Sequence, residues 1–211
     1  MNGWGILYII LAYLIGSIPT GVWYSKTRYK VDVRTLGSGN SGGTNVGRNF
    51  GFASAVIVIA IDVLKGWIPM AVARHSFADQ PWIIMLTALA CVIGHAYPIW
   101  GNFRGGKIVA TSIGVLLGFN FWLAISQVLL FALCLFLSST VSLSAMASYG
   151  IAVVAIFFLY ESWIYRIGFL AIFLFMVYRH RSNVERLIHK RENRISWGLR
   201  STKKYPQEKS S

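Results

Sequence analysis

The sequence predicts an all-α integral membrane protein: a compact bundle of seven transmembrane helices, N-terminus outside and C-terminus cytoplasmic. Three observations lead there. Of the 211 residues, 55% are hydrophobic and 13% are charged, about half the roughly 25% charged share of a soluble domain. Apolar runs recur along the chain, several near the roughly 20 residues that a bilayer crossing needs. The 20 Lys and Arg, against 7 Asp and Glu, gather in three segments, as the positive-inside rule requires of a membrane protein. With this apolar fraction the basic balance reads as membrane topology, and nucleic-acid binding is excluded.

The elements follow in order. Residues 4–24 form the first apolar run, with no basic residue before it and Lys26, Arg28 and Lys30 after it. A cleavable signal has the opposite charge order, so this run is expected to stay as a helix. Gly16, Ser17 and Pro19 are expected to kink or loosen its cytoplasmic end. Residues 52–72 form the second crossing and carry Asp62 and Lys65. Each costs roughly 2.5–3.5 kcal/mol at mid-membrane, but the i,i+3 spacing lets them pair on one face. The favoured reading is a buried pair holding the helix against the preceding glycine loop; direct catalysis is the alternative. Residues 82–100 return to the cytoplasm. From 109 to 178 the chain is almost uninterrupted hydrophobe, with breaks near 118–120, 138–144 and 161–166. Four short helices fit these breaks and give seven crossings in all; two long ones would give five. Residues 1–197 read as one membrane-embedded domain, and 198–211 as a basic, disordered tail. Cys91 and Cys134 lie in apolar runs and read as small core hydrophobes. No His, Cys or carboxylate cluster suggests a metal, and no cofactor is expected.

Three polar stretches interrupt this pattern. The first is 37–51, with Gly37, Gly39, Gly42, Gly43, Gly47 and Gly51. Six glycines argue against a regular helix, and they permit positive φ and close approach of backbone N–H groups to a ligand. Ser38, Asn40, Thr44 and Asn45 add hydrogen-bonding side chains and Arg48 adds a fixed cation. Together these make a nest for phosphate oxygens. A flexible linker would need only Gly and Ser; the asparagines and Arg48 have no linker role. No Gly-Lys-Ser/Thr closes the stretch, so it is not a P-loop.

The second stretch is Gly105-Gly106-Lys107, directly before a new apolar helix. Free N–H groups and the helix dipole there favour an anion. His95, just upstream, reads as a helix-terminal histidine bonded to backbone, with an acid–base role as the alternative. The third stretch runs from Arg179 to Leu187. His180 and Asn183 share a helix face, and Val184, Leu187 and Ile188 form an apolar stripe suited to the membrane surface; a plain basic anchor is the alternative. The cluster Ser138, Ser139, Thr140, Ser142 and Ser144 reads mostly as helix capping, with Ser142 able to face a site. The three basic segments hold five, two and ten cations. Seventeen of the 20 therefore fall on one side.

Taken together, the motifs resemble those of the bacterial acyl-phosphate:glycerol-3-phosphate acyltransferases, the PlsY family. The family's Gly-Ser-Gly-Asn-Pro-Gly-Ala-Thr-Asn is similar to Gly37-Ser38-Gly39-Asn40-Ser41-Gly42-Gly43-Thr44-Asn45, and Arg48 is in place. Its Gly-Gly-Lys-Gly-Val-Ala-Thr is similar to Gly105-Gly106-Lys107-Ile108-Val109-Ala110-Thr111. Its Arg-His-x-x-Asn matches Arg179-His180-Arg181-Ser182-Asn183, and its following Glu matches Glu192. Ser41, Gly43 and Ile108 depart from the pattern. The first two are expected to loosen the loop. Ile108 replaces a glycine, and a β-branched residue does not readily take positive φ.

The resemblance implies acyl transfer from a fatty acyl-phosphate to the 1-hydroxyl of glycerol 3-phosphate, giving lysophosphatidate and inorganic phosphate. It implies Arg48, Lys107, His180 and Asn183 around glycerol 3-phosphate. Ser38, Asn40, Thr44 and Asn45, with the loop backbone at Gly37, Gly39 and Gly42, would hold the acyl-phosphate. Gly105, Gly106 and Ser142 are expected to line the site, while Asp62, Lys65 and Glu192 are expected to be structural. The general base is either His180 or the substrate's own phosphate. The expected partners are the two substrates and membrane lipid. The sequence sets no oligomeric state. An organic-phosphate transporter would place its site near mid-membrane between inverted repeats; here the motifs share one face and no repeat is apparent. A membrane scaffold would need none of the three motifs. Cysteines introduced singly at Asn40, Gly105 and Asn183 should all label with an impermeant thiol reagent from the same side; labelling from opposite sides would refute this topology.

Overall fold

The computed structural model describes residues 3–196 and 198–201. All regular structure among the described residues is helical. The first apolar run forms α1 (Gly3–Gly16) and α2 (Thr20–Tyr29). The break falls at Ser17-Ile18-Pro19, where proline has no N–H to donate and its ring crowds the preceding turn. A single 3-10 turn at Val33–Thr35 leads to α3 (Gly43–Phe50). Then come α4 (Phe52–Ser76), α5 (Pro81–Ala96), α6 (Val109–Phe119) and α7 (Phe121–Ser138). The chain ends with α8 (Val141–Leu159), α9 (Trp163–Arg179) and α10 (Arg181–Ile188). Among the described residues, five segments are long and apolar enough to cross a bilayer: Gly3–Tyr29, Phe52–Ser76, Pro81–Gly101, Phe121–Ser138 and Val141–Leu159. The 11-residue α6 and the 17-residue α9 are apolar but shorter.

The long hydrophobic stretch therefore holds four helices, with its breaks at Asn120, Ser139–Thr140 and Tyr160–Ser162. Two of the breaks have a local cause. Asn120 Oδ1 accepts the Leu123 N–H at 3.0 Å and caps α7, while its Nδ2 donates to the Tyr160 hydroxyl at 2.8 Å. Ser139 turns the chain in the left-handed region. The serine cluster does less capping than its composition suggests. Thr140 makes no side-chain cap to α8, Ser144 Oγ returns to the Thr140 carbonyl at 2.8 Å, and Ser142 Oγ reaches Glu192 at 2.8 Å.

The α3 helix overturns one expectation. Its glycine content argues against helix, yet a Cβ on Gly43 would strike the Ile59 side chain, and one on Gly47 would strike the Ala55 Cβ. At i and i+4 these glycines form a flat strip on which α3 lies against α4. Tertiary packing thus overrides a penalty of roughly 1 kcal/mol per glycine. Gly43 makes room for Ile59 and does not loosen the loop. The same device joins α4 to α6, where Gly66, Gly114 and Gly118 each face the opposite backbone with no space for a Cβ. Close approach through small residues is what packs helices where lipid removes the hydrophobic drive.

Asp62 and Lys65 lie inside this bundle, their side chains 3% and 4% exposed. Lys65 Nζ sits 2.8 Å from Asp62 Oδ1 and donates at 2.8 Å to the Ile18 carbonyl. Thr20 Oγ1 donates to the same carboxylate oxygen at 2.8 Å. The pair therefore closes the break in the first span, and does not act directly on the glycine loop. The Val22 N–H turns to the Pro19 carbonyl, so the Ile18 carbonyl has no donor four residues on; it accepts the Thr20 N–H at 2.9 Å and the Lys65 ammonium. The loop is met at Gly21, which backs onto the Ser41 carbonyl with no room for a side chain.

Of the expected tail, residues beyond 201 lie outside the described residues, as does Trp197. The segment before them crosses the end of α7. The N–H groups of Ile195 and Leu199 donate at 2.8 Å to the carbonyls of Ser139 and Phe136. Removing one member of a buried ion pair costs about 3–5 kcal/mol. Lys65→Met should accordingly lower the thermal midpoint in detergent sharply, and Asp62→Asn combined with it should recover part of the loss. A Lys65→Met protein as stable as the parent would show that the pair is dispensable.

Candidate active site

At one end of the bundle the three polar stretches converge on a cavity of about 660 Å³. Its mouth is polar and cationic, with Arg48, Arg104, Lys107, Arg179 and Arg186 all on its wall. Ile59 of α4, Ile113 of α6, Phe131 of α7 and Val141 of α8, none of them fully buried, give the lining an apolar arm. Charged groups and a hydrocarbon-lined space thus share one enclosure.

The first wall is the loop before α3. Gly37 and Gly39 take positive φ, +54° and +69°, and turn the chain around Asn45. The Asn45 amide is buried and fully engaged. Its Nδ2 donates to the carbonyls of Val33, Leu36 and Asn40 at 2.9–3.0 Å, and its Oδ1 accepts the Ser38 N–H at 3.0 Å. Asn40 Oδ1 accepts the Gly42 N–H at 2.8 Å. Asn45 therefore shapes the loop more than it offers free groups, and Gly37 does not line the cavity, unlike Ser38, Gly39, Asn40, Gly42 and Thr44. Thr44 and Arg48, one turn apart on α3, are exposed on the cavity side. The first N–H groups of a helix have no partner within it, so the start of α3 adds donors to this wall.

The second wall is the Gly105–Lys107 turn. The expectation of free glycine N–H groups there is corrected: Gly105 N–H donates to the Ala96 carbonyl at 3.2 Å and Gly106 N–H to the His95 carbonyl at 3.1 Å. Gly106 does not line the cavity, whereas Gly105 and Lys107 do. From the other side the Arg179 guanidinium donates to the carbonyls of Gly105 and Gly106 at 3.0–3.2 Å and lies over the Tyr97 ring. Ile108 takes the left-handed conformation, φ 60° and ψ 0°, with its side chain wholly buried. A left-handed L-residue costs roughly 1–2 kcal/mol, and burying an isoleucine side chain returns about as much. His95 binds no backbone through its ring; Nδ1 is 3.0 Å from Thr111 Oγ1 and 3.7 Å from Asp62 Oδ1.

The third wall is the α9–α10 corner. His180 Nδ1 lies 2.8 Å from the Met176 carbonyl. A carbonyl only accepts, so Nδ1 carries the proton and Nε2 keeps its lone pair. Burial first, then Lys107 and Arg179, pushes the imidazole pKa down to about 4, so the ring is neutral at physiological pH. Lys107 Nζ donates to Asn183 Oδ1. Asn183 Nδ2 donates in turn to Glu192 Oε1 at 2.6 Å. Glu192 also accepts from Ser142 at 2.8 Å and from Arg186 at 2.7 Å. Burial alone would raise the Glu192 pKa, but these donors hold it below the usual carboxylate range. Burial, and then Arg186, lowers Lys107 to about 8.

Sequence reading marked Ser38, Arg48, Lys107, His180, Asn183 and Ser142 for the site, and the fold brings them to the cavity; Asp62 and Glu192, expected to be structural, and His95 line it too. It missed the placement of Arg104, Arg179 and Arg186, which cation counting had assigned only to a membrane face. Arg179 was visible as part of the Arg-His-x-x-Asn motif. The apolar arm had no local signal, because Ile113 and Phe131 look like any other hydrophobe of a crossing.

Several known proteins resemble this chain in sequence and fold. A family model described as glycerol-3-phosphate acyltransferase matches residues 6–190. A glycerol-3-phosphate acyltransferase of Enterococcus faecalis is 37% identical over 207 residues, covering 94% of this chain and 95% of its own. One from Bacillus subtilis is 41% identical over 192 residues, covering 90% and 97%. Among solved structures, PlsY, an integral membrane glycerol 3-phosphate acyltransferase, superposes in its glycerol 3-phosphate form with a TM-score of 0.88. Its lysophosphatidic acid form gives 0.84; both are 36% identical and cover 92% of this chain and 96% of theirs. The chain belongs to the glycerol-3-phosphate acyltransferase family, and it is an integral membrane enzyme of that kind.

Proposed function

We propose that the acyl donor is a fatty acyl-phosphate, transferred to the 1-hydroxyl of glycerol 3-phosphate to give 1-acyl-glycerol 3-phosphate and inorganic phosphate. The observation that carries this reading is one cavity lined by both cationic and apolar side chains. Both substrates bring a phosphate and one brings an acyl chain, so one enclosure serves both. Arg48, Lys107, His180 and Asn183 face glycerol 3-phosphate. Ser38, Asn40 and Thr44, with the N–H groups at the start of α3, receive the acyl-phosphate. The acyl chain follows Ile59, Ile113 and Phe131 between the helices. We read the cavity as opening to the cytoplasm of a bacterial inner membrane crossed seven times, because 17 of the 20 cations lie in the segments on its side.

The hydroxyl oxygen attacks the acyl carbonyl carbon, the carbonyl–oxygen bond to phosphate breaks, and inorganic phosphate leaves. An acyl-phosphate is already activated, so positioning supplies much of the rate. The hydroxyl proton needs an acceptor. A His180 pKa near 4 makes the ring a weak base at neutral pH, where the best catalytic pKa lies close to the working pH. A phosphate monoester has its second pKa near 6, so the substrate dianion is the better acceptor. His180 Nε2 then accepts a hydrogen bond and orients the substrate.

Phosphate release from acyl-phosphate, dependent on glycerol 3-phosphate, is the direct test; acyl transfer only from another donor would overturn the proposal. Arg48→Ala and Lys107→Ala each remove a charge-assisted bond of about 1.5–3 kcal/mol and should lower kcat/KM roughly tenfold to a hundredfold. His180→Gln should act mainly on KM, whereas a thousandfold fall in kcat at unchanged KM would make His180 the base. The pH dependence follows from Lys107. Its ammonium is charged below about 8 and neutral above, so KM for glycerol 3-phosphate should climb as pH rises through 8. Lys107→Arg should abolish that climb.

A further inference from the structure

Gly106 is among the most confined glycines in the site region, yet it neither lines the cavity nor takes positive φ. What it lacks is space. The three heavy atoms nearest to a Cβ built there all belong to the His95 ring, Nε2 first. The ring cannot step aside freely: it is 7% exposed, and Nδ1 is bonded to Thr111 Oγ1 at 3.0 Å. Behind it lies Asp62, fixed by Lys65 and Thr20. Gly105 is equally confined, but by backbone: its Cβ would meet the carbonyl oxygens of His95 and Ala96 and the Pro98 ring.

We propose that His95 is a positioning residue for glycerol 3-phosphate, its ring being the floor that sets the height of the Gly105–Gly106 turn and so the reach of Lys107. The turn is held from below by this floor and from above by Arg179. Lys107, the next residue, extends to Asn183 in the cavity. Asp62 and Thr111 act through the ring by fixing its plane. The inference rests on the proposed placing of Lys107 against the substrate phosphate.

The test is a pair of double-mutant cycles on the full chain, reading the dissociation constant for glycerol 3-phosphate by calorimetry. In the parent, Gly106→Ala should weaken binding more than about tenfold; in a His95→Ala background the same change should cost less than about threefold. Gly105→Ala should cost the same in both backgrounds, since His95→Ala leaves the obstructing carbonyl in place. Where Gly106→Ala does not fold, Thr111→Val replaces it: KM should rise severalfold with kcat within about twofold, and the change should be silent once His95 is Ala. Equal costs for Gly106→Ala in both backgrounds, relief of both glycine variants alike, or a silent Thr111→Val in the parent would each overturn the floor. Lys107→Ala with undiminished binding would overturn the placing of Lys107 itself, and the inference with it. Weakened binding in Lys107→Ala without relief by His95→Ala would sink the floor alone.

Discussion

The buried pair of Asp62 and Lys65 ties together the elements on which the cavity stands. Two charges inside an apolar bundle are tolerated only when paired and hydrogen-bonded, and here the bonding partners come from elsewhere in the chain. Lys65 donates to the Ile18 carbonyl at the break, and Asp62 accepts from the Thr20 hydroxyl and faces His95. The break in the first span is thereby pinned beside α4 and α5. From that point α2 departs, Gly21 meets Ser41, and the glycine loop is set down at the cavity rim. Leaving either charge without its partner would be costly, so the pair and its bonding partners stay together.

Two asparagines show how the same side chain serves opposite ends. Asn45 gathers three carbonyls and one N–H of its own loop, so a segment rich in glycine holds a single shape. Asn183 faces Lys107 with its oxygen and Glu192 with its nitrogen. That direction is imposed by Glu192, which only accepts and is itself held by Ser142 and Arg186. An ammonium and a carboxylate are thus linked through a neutral amide. The carboxylate's oxygens are taken up by Ser142, Asn183 and Arg186, and it does not pair directly with the ammonium.

Next to the cavity, local rules give way at α3 and at Ile108. Glycine-rich α3 is a helix because Ile59 and Ala55 occupy the space that side chains would need. Ile108 sits at positive φ because its side chain is wholly buried. In each case a backbone preference of about a kilocalorie is outweighed by packing of similar or larger size.

Composition, apolar runs and cation placement determined from sequence alone that this is a helical membrane protein, with breaks near Asn120, Ser139 and Tyr160. These are local or periodic properties, readable wherever hydrophobicity and glycine or proline punctuate the chain. The three polar stretches were legible too, because Arg48, Lys107, His180 and Asn183 stand out in their composition. What only the tertiary structure decided is how those residues are held. Lys65 meets a carbonyl 47 positions away, and Lys107 meets Asn183 across 76. Gly105 and Gly106 looked like donors to a ligand but have spent their N–H groups on the end of α5. A hydrogen-bonding group's partner depends on which helices pack together, and that packing is a property of the whole bundle, written in no single segment.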